Sequence, residues 1–233
     1  MNPIDDRSRL RTEYADRARR FAESDVYSAF NRANLFAIQS RQRAVVDALR
    51  QRGLTNLSGL RILEMGCGDG GVLVEYLGLG ASPHNLYGID LLPNRLTRAR
   101  LRLPVCNFVN ADGASLPFPA DSFDLVIQYT AISSILDLNL RRAICADLLR
   151  VTRPGGLILS YDFWLNPTNR QTLGLRPAEI RRSFPGCDIR FHKITLAPPL
   201  ARRIVPLSWG LAHLLEFLTV FNSHYLAIIR APE

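Results

Sequence analysis

From Leu60 onward the chain alternates between two hydrophobic periods. Short apolar runs of strand length alternate with stretches whose apolar residues recur every three or four positions. RILEM (61–65) reads as a strand that stops at glycines, and GVLVEYLGLG (71–80) as a short helix closed by glycines. NLYGID (85–90) is a second strand, and Pro93 to Arg102 form a helix with proline in the first turn. VCNFVNAD (105–112) and FDLVIQYT (123–130) read as the third and fourth strands. Leu138 to Val151 form a helix with apolar positions at Leu140, Ile144, Leu148 and Leu149. GLILSYDFW (156–164) is a fifth strand, reached through an Arg-Pro-Gly-Gly turn at 153–156. Strand and helix alternating at this spacing predict an α/β fold, with a parallel sheet covered on both faces.

The flanks depart from that rhythm. Tyr14, Ala18, Phe21 and Ala22 fall at helical spacing, as do Leu35, Ile38, Val45 and Leu49, with Gly53 as a stop for the second helix. YSAFNRANLF (27–36), between them, shows no clear period. Beyond the fifth strand, Pro177 to Phe184 suggest a helix and Cys187 to Leu196 a strand of mixed polarity. Pro198-Pro199 break the chain, Leu200 to Val220 read as one or two helices, and SHYLAIIR (223–230) is a last strand.

The chemistry concentrates at the strand ends, where ligands bind in such sheets. ILEMGCGDGG (62–71) holds a G-x-G-x-x-G at Gly66, Gly68 and Gly71, the pattern of a dinucleotide-binding turn. It also holds E-x-G-x-G-x-G, from Glu64 to Gly70. A carboxylate aimed at the loop would repel a pyrophosphate but suits an ammonium or a sulfonium. Asp90, at the end of the second strand, can accept from both hydroxyls of a ribose, a feature shared with NAD enzymes. Asp112, after the third strand, can accept from the exocyclic amine of adenine, for which dinucleotide folds have no standard need. The remaining strand ends offer Gln128 and Tyr129, then Tyr161 and Asp162.

ILEMGCGDGG, then GID, then NADGASLPFPADSFDLVIQ, then LLRVTRPGGLIL, resembles the class I S-adenosylmethionine-dependent methyltransferases over residues from about 60 to 163. The resemblance implies a Rossmann-like, mostly parallel seven-stranded sheet whose antiparallel last strand is SHYLAIIR. It makes residues 1–59 an N-terminal helical lid and 60–233 the catalytic domain, with a helical insertion at about 198–221 before the last strand. S-adenosyl-L-methionine would be the cofactor and S-adenosyl-L-homocysteine the product. Glu64, Gly66 and Gly68 would hold its methionine portion, with Cys67 a small residue nearby. Asp90 would hold the ribose and Leu91 would pack on adenine. Asp112 would take the adenine amine, with Gly113 beside it, and Gln128 would line the pocket near the methyl group. Tyr14, Tyr27 or Arg41 would reach the cofactor carboxylate. The tail, from YDFWLNPTN through LAPPLARRIVPLS, resembles bacterial methyltransferases linked with polysaccharide biosynthesis. That implies a small or medium acceptor such as a sugar or glycan hydroxyl. RNA or protein acceptors, an NAD-type oxidoreductase and a catalytically inactive cofactor-binding scaffold are the alternatives.

One departure concerns the base. Small-molecule relatives often carry a histidine pair after the fourth strand, whereas this chain reads YTAISSILD, with Ser133 and Ser134. No N-P-P-Y or D-P-P-Y motif is present either. Asp162 and His213 are the candidate catalytic residues, with His192 and His224 as weaker candidates.

Composition narrows the partners. Of 233 residues 47% are hydrophobic, which suits one packed domain. The net charge of +8 is split into +4 over residues 1–60, −1 over 61–162 and +5 over 163–233. Basic ends attract anionic substrates or surfaces. Lys193 is the only lysine, so much of this excess reflects an arginine bias in composition. Without a basic run interleaved with aromatics, nucleic acid is disfavoured. Cys67, Cys106, Cys145 and Cys187 form no C-x-x-C pair and no His cluster accompanies them, so no metal site and a reducing, cytoplasmic setting are expected. The charged N-terminus does not read as a signal peptide. His213, Glu216 and His224 interrupt the apolar stretch Ile204–Ile229, so it does not read as a span. Leu200 to Val220, with Arg202 and Arg203 near its start, suits core or lid packing, or peripheral membrane contact. Nothing in the pattern indicates an oligomeric state.

Overall fold

The computed structural model describes residues 5–20, 24–166 and 169–233, except the Ala18 side chain. The expected helical contacts of Ala18, Phe21 and Ala22, and Pro167 and Thr168 of the tail resemblance, lie outside the described residues.

Two helices open the chain, α1 (Asp6–Arg20) and α2 (Arg32–Gln51). Then come β1 (Ile62–Met65), α3 (Gly71–Gly78), β2 (Leu86–Asp90), α4 (Pro93–Arg102), β3 (Asn107–Asn110) and β4 (Phe123–Tyr129). The second half holds α5 (Leu138–Val151), β5 (Thr152–Phe163), α6 (Pro177–Ser183), β6 (Asp188–Leu196), α7 (Pro198–Ile204), α8 (Trp209–Phe217) and β7 (Asn222–Arg230). The seven strands form one sheet in the order β3-β2-β1-β4-β5-β7-β6. Pairing is parallel up to β5, and β7 runs antiparallel between β5 and β6. The strand order reverses between β1 and β4, the place where such sheets open a crevice at their carboxyl ends.

Alternation along each strand sends side chains to two packed layers. Leu63, Met65, Val126 and Ile158 bury against Ile144 and Leu148 of α5 and Ile180 of α6. Ile62, Leu125, Ile127 and Leu159 bury against Val45 and Leu49 of α2 and Leu73 and Tyr76 of α3. A third cluster joins Ala33 and Phe36 of α2 to Ala201, Val205 and Ala212 of the helical insertion.

Three local differences from the sequence expectation have physical causes. α2 begins inside the stretch without a clear period, because Asn31 caps it by accepting from the N–H groups of Ala33 and Asn34, each at 3.1 Å. The Arg-Pro-Gly-Gly segment lies inside β5 as a bulge rather than before it. The register with β4 jumps from Phe123↔Thr152 to Leu125↔Leu157, and Gly155 takes φ 66°. β3 is shorter than expected, at four residues.

Candidate active site

A cavity of about 610 Å³ opens where the strand order reverses. Its floor is Gly66, Asp90, Leu91, Asp112, Gly113 and the turn after β4, and Arg7, Leu10 and Tyr14 of α1 form its roof. α1 is fastened there by Asp6, whose carboxylate accepts from the N–H groups of Leu136 (2.7 Å) and Asp137 (3.2 Å). Tyr14 also donates to, or accepts from, Ser134 Oγ at 3.2 Å. α2 does not share the roof: it packs behind the sheet and against the insertion.

The glycine loop owes its shape to missing Cβ atoms. Gly66 sits at φ 74°, and a Cβ there would lie 2.7 Å from the Ala131 methyl. Gly68 sits at φ 53°, and a Cβ there would lie 2.6 Å from the Arg95 guanidinium. Gly66 therefore excludes a side chain by conformation and by space, whereas at Gly68 the conformation is the bar, since the Arg95 guanidinium can move aside. Asp90 holds this loop in place. Its buried Oδ2 accepts from Gly68 N–H at 2.8 Å, and its Oδ1 accepts from Leu92 N–H at 2.9 Å. A carboxylate oxygen has two lone pairs, so each keeps capacity toward the cavity. Asp112 accepts from Ala114 N–H at 2.9 Å, and its other oxygen is paired with Arg7 from the roof. The oxygen expected to take an adenine amine is thus held by α1 in this conformation.

Glu64 lies on the α2–α3 side of the sheet and does not line the cavity. Its carboxylate is buried, its Oε2 has no hydrogen-bond partner, and burial pushes its pKa well above the usual carboxylate range despite Arg41 nearby. The native state then holds a proton that the unfolded chain releases. Stability present below the unfolded pKa is lost as pH rises toward the folded one. Glu64→Gln is therefore expected to raise Tm of the ligand-free protein at pH 8, with a smaller gain at pH 5. Each unit by which the folded pKa exceeds the unfolded one is worth about 1.4 kcal/mol at high pH, and each kcal/mol is worth roughly 2–4 °C in a chain this size. Melting curves across pH check this, and equal Tm values at pH 8 would sink it.

Other expected site residues stand behind the cavity wall. Cys67 is buried beside Gly88, does not line the cavity, and burial pushes its thiol up; its backbone N–H donates to Ile89 O at 2.9 Å. Gln128 is fully buried and its amide is committed inside the fold. Nε2 donates to Ser160 Oγ at 2.5 Å and Asp162 Oδ2 at 3.4 Å. Oε1 accepts from the N–H groups of Ala131 and Ile132 at 3.2 and 3.3 Å. Asp162 is also buried, accepting from Ser133 N–H at 3.0 Å and Phe163 N–H at 2.9 Å. Burial pushes its carboxyl up to about 6, against the opposing pull of those hydrogen bonds and of Arg141. Gln128 and Asp162 thus shape the 130–134 turn rather than face the cavity.

The histidines stand apart from it as well. His213 packs on Phe36, with ring centroids 4.8 Å apart, and its Nδ1 lies 3.7 Å from Glu216. Because α8 packs on α2, His213 is not among the residues that line this cavity, so the expected roofing role does not hold for it. His224 stacks on Tyr161 at 4.6 Å, and burial lowers its pKa to about 3, so it stays neutral. His192 is exposed on β6. Arg41 pairs with Glu75 and lies over the Tyr129 and Tyr161 rings, whereas Tyr14 and Tyr27 do line the cavity.

Sequence reasoning missed three features. A second cavity of about 560 Å³ shares Arg17, Tyr27, Thr130 and Ser134 with the first. Beyond that junction its walls include Phe163, Trp164, Leu200 and Phe221, with Ser133 and Asn222 among the polar lining. Thr130, on the shared wall, is a β-branched residue held at φ 57°, where its N–H donates to Tyr161 O at 2.7 Å. Such strain gathers at functional sites, and nothing in the sequence marks it. Arg141 resembles any other arginine on its helix, yet it is almost fully buried. It donates to the carbonyls of Ile135 (2.6 Å) and Leu173 (2.5 Å) and to Glu179 (3.0 Å).

Residues 62–156 match a family model described as a methyltransferase domain. Over 117 residues the chain is 41% identical to a phthiotriol/phenolphthiotriol dimycocerosates methyltransferase of Mycobacterium leprae, covering 49% of this chain and 41% of the relative. A similarly named protein of Mycobacterium ulcerans is 38% identical over 117 residues, covering 48% and 40%. The chain therefore spans about two fifths of the length of these curated relatives. Among solved structures, the magnesium protoporphyrin IX methyltransferase of Synechocystis, with bound S-adenosylmethionine, has a TM-score of 0.65 at 18% identity. That match covers 99% of this chain and 100% of the other, and it speaks to the fold.

Proposed function

We propose, from the premise that this chain belongs to the class I S-adenosylmethionine-dependent methyltransferases, that it methylates a hydroxyl on a largely apolar, lipid-like acceptor. The observation that carries this reading is the second cavity. It meets the first at Thr130 and Ser134, and it pairs an apolar wall of Phe163, Trp164, Leu165, Leu200, Val220 and Phe221 with polar lining that includes Glu13, Arg17, Arg20 and Arg202. The lipid names of the mycobacterial relatives point the same way. A glycan is the weaker reading: the polar lining offers it hydrogen bonds, but the aromatic and aliphatic wall and the relatives' names favour an apolar acceptor.

The first cavity fits the cofactor on two observations. It has a glycine cradle at Gly66 that a Cβ would fill, and two carboxylates at the ends of β2 and β3. Asp90 would hold the ribose hydroxyls, Asp112 the adenine amine, and Leu91 the adenine face. Gly66 and Gly68 would cradle the methionine portion. When bound, S-adenosylmethionine supplies a methyl group already activated by its sulfonium.

Alignment is then the main task left to the protein. Thr130 and Ser134, on the wall common to both cavities, would orient the acceptor hydroxyl. Gln128 and Asp162 hold the turn that carries them. Ser133 lines the acceptor cavity and its backbone N–H holds Asp162; its hydroxyl, unpartnered in this conformation, would turn toward that carboxylate to pass on the acceptor proton. With its pKa near 6, Asp162 is ionised at neutral pH and able to accept. A base must be ionised to work, so kcat/KM is expected to fall as pH drops through about 6, and Asp162→Asn should remove that limb. A pH–rate profile unchanged by the substitution would rule out this role.

The reading as a whole is tested with radiolabelled S-adenosylmethionine and matched acceptors: long-chain hydroxylated lipids in detergent, free and lipid-linked sugars, and short RNA. Label in the hydroxylated lipid alone is expected. Label in the sugar or RNA instead would overturn the acceptor assignment.

A further inference from the structure

We propose that the outward face of α8, with the turns that flank it, docks this protein on an anionic lipid bilayer. The inward face of α8 is accounted for. Trp209 and Ala212 pack toward Phe36, with the Trp209 and Phe36 rings 5.5 Å apart. The opposite face is apolar and open to solvent. Leu211, Leu214 and Leu218 recur at three and four positions, which places them on one side of the helix. Leu207 is 83% exposed, Phe217 81% and Val220 67%. An exposed apolar ridge of this length on a domain surface marks an interaction site.

Charge and position select the partner. Arg202 and Arg203 are exposed on α7, immediately before the ridge. Arg32 donates to Pro206 O at 3.0 Å, which brings the start of α2 beside Leu207. The preceding loop carries Phe30, which is 96% exposed. Glu216 is the only acidic residue between 198 and 221, and it is engaged by Arg43 at 3.2 Å. Apolar side chains flanked by arginines with no free acid among them match the acyl and headgroup layers of an anionic membrane. The ridge is also continuous with the second cavity, because Val220, Phe221 and Arg202 belong to its lining. On the proposed reading of that cavity, from which this point follows, a lipid acceptor passes from the bilayer into it without crossing water. Among the described residues no helix is long and apolar enough to cross a membrane, so the contact is peripheral.

Sedimentation of the whole chain with vesicles tests this. Wild type is expected to pellet with mixed phosphatidylglycerol–phosphatidylcholine vesicles, and much less with phosphatidylcholine alone. Leu214→Glu and Phe217→Glu should each reduce partitioning by at least ~10-fold, and Arg203→Glu should reduce it less while weakening its dependence on salt. The three side chains are exposed and line neither cavity, so binding of S-adenosylhomocysteine by calorimetry should be unchanged. Wild type left in the supernatant, or variants that pellet like wild type, would overturn the docking face. So would light scattering that shows a dimer split by Phe217→Glu, which would make the ridge an interface between copies. Failure of S-adenosylhomocysteine to bind at all would strike the cofactor reading instead, a separate result from failure to bind vesicles.

Discussion

Asp90→Ala is expected to weaken S-adenosylhomocysteine binding by roughly 100-fold or more, since a hydrogen bond to a charged group is worth about 1.5–3 kcal/mol and the proposed ribose contact has two. The same change frees the N–H groups of Gly68 and Leu92 from their acceptor, so part of the loss would come from a loosened glycine loop. Asp90→Asn separates the two effects. It keeps one oxygen and the side-chain volume while removing the charge, and should cost less than alanine but well over tenfold. Thermal melts of the ligand-free variants control for folding. Calorimetric affinities within a factor of about two of wild type would mean that the ribose is held elsewhere.

The largest effect on stability is expected at Arg141. Methionine there keeps much of the volume but leaves Glu179 and the carbonyls of Ile135 and Leu173 without their donor. Breaking a buried, hydrogen-bonded charge in this way costs about 3–5 kcal/mol. Arg141→Lys should recover only part of it, because an ammonium cannot spread its donors over the same fork. Urea denaturation measures both. The three groups belong to the segment after β4, the loop before α6 and α6 itself, so the variant should also disturb the wall between the cavities. A midpoint shift worth under about 1 kcal/mol for Arg141→Met would show that these groups find water or other partners.

Strand ends were legible because a hydrophobic run that stops at glycine or aspartate signals both the strand and what it presents to a ligand. Hence Gly66, Asp90, Leu91, Asp112 and Gly113 all reach one cavity. Glu64 is a subtler case. Its neighbours Leu63 and Met65 face α5 and α6, so strand alternation alone sends Glu64 to the other layer. Gln128 and Asp162 could not be judged from sequence, because a buried amide that satisfies two backbone N–H groups has the same one-letter code as one that lines a pocket. The insertion was recognisable as helical, but its packing partner was not. Once Phe36 takes Trp209 and His213 as neighbours, α8 lies on α2 and cannot roof the cofactor cavity. The strained Thr130 and the buried Arg141 leave no trace in composition or period, since both follow from tertiary contacts made far along the chain.

The central claim is that the cavity at the ends of β1, β2 and β3 accepts S-adenosylmethionine and its product. Isothermal titration of the whole chain with S-adenosylhomocysteine, and in parallel with NAD, tests it most directly. Saturable one-to-one binding of S-adenosylhomocysteine at micromolar concentrations, with no heat from NAD, is the predicted result. No binding at millimolar S-adenosylhomocysteine, with NAD bound in its place, would contradict it.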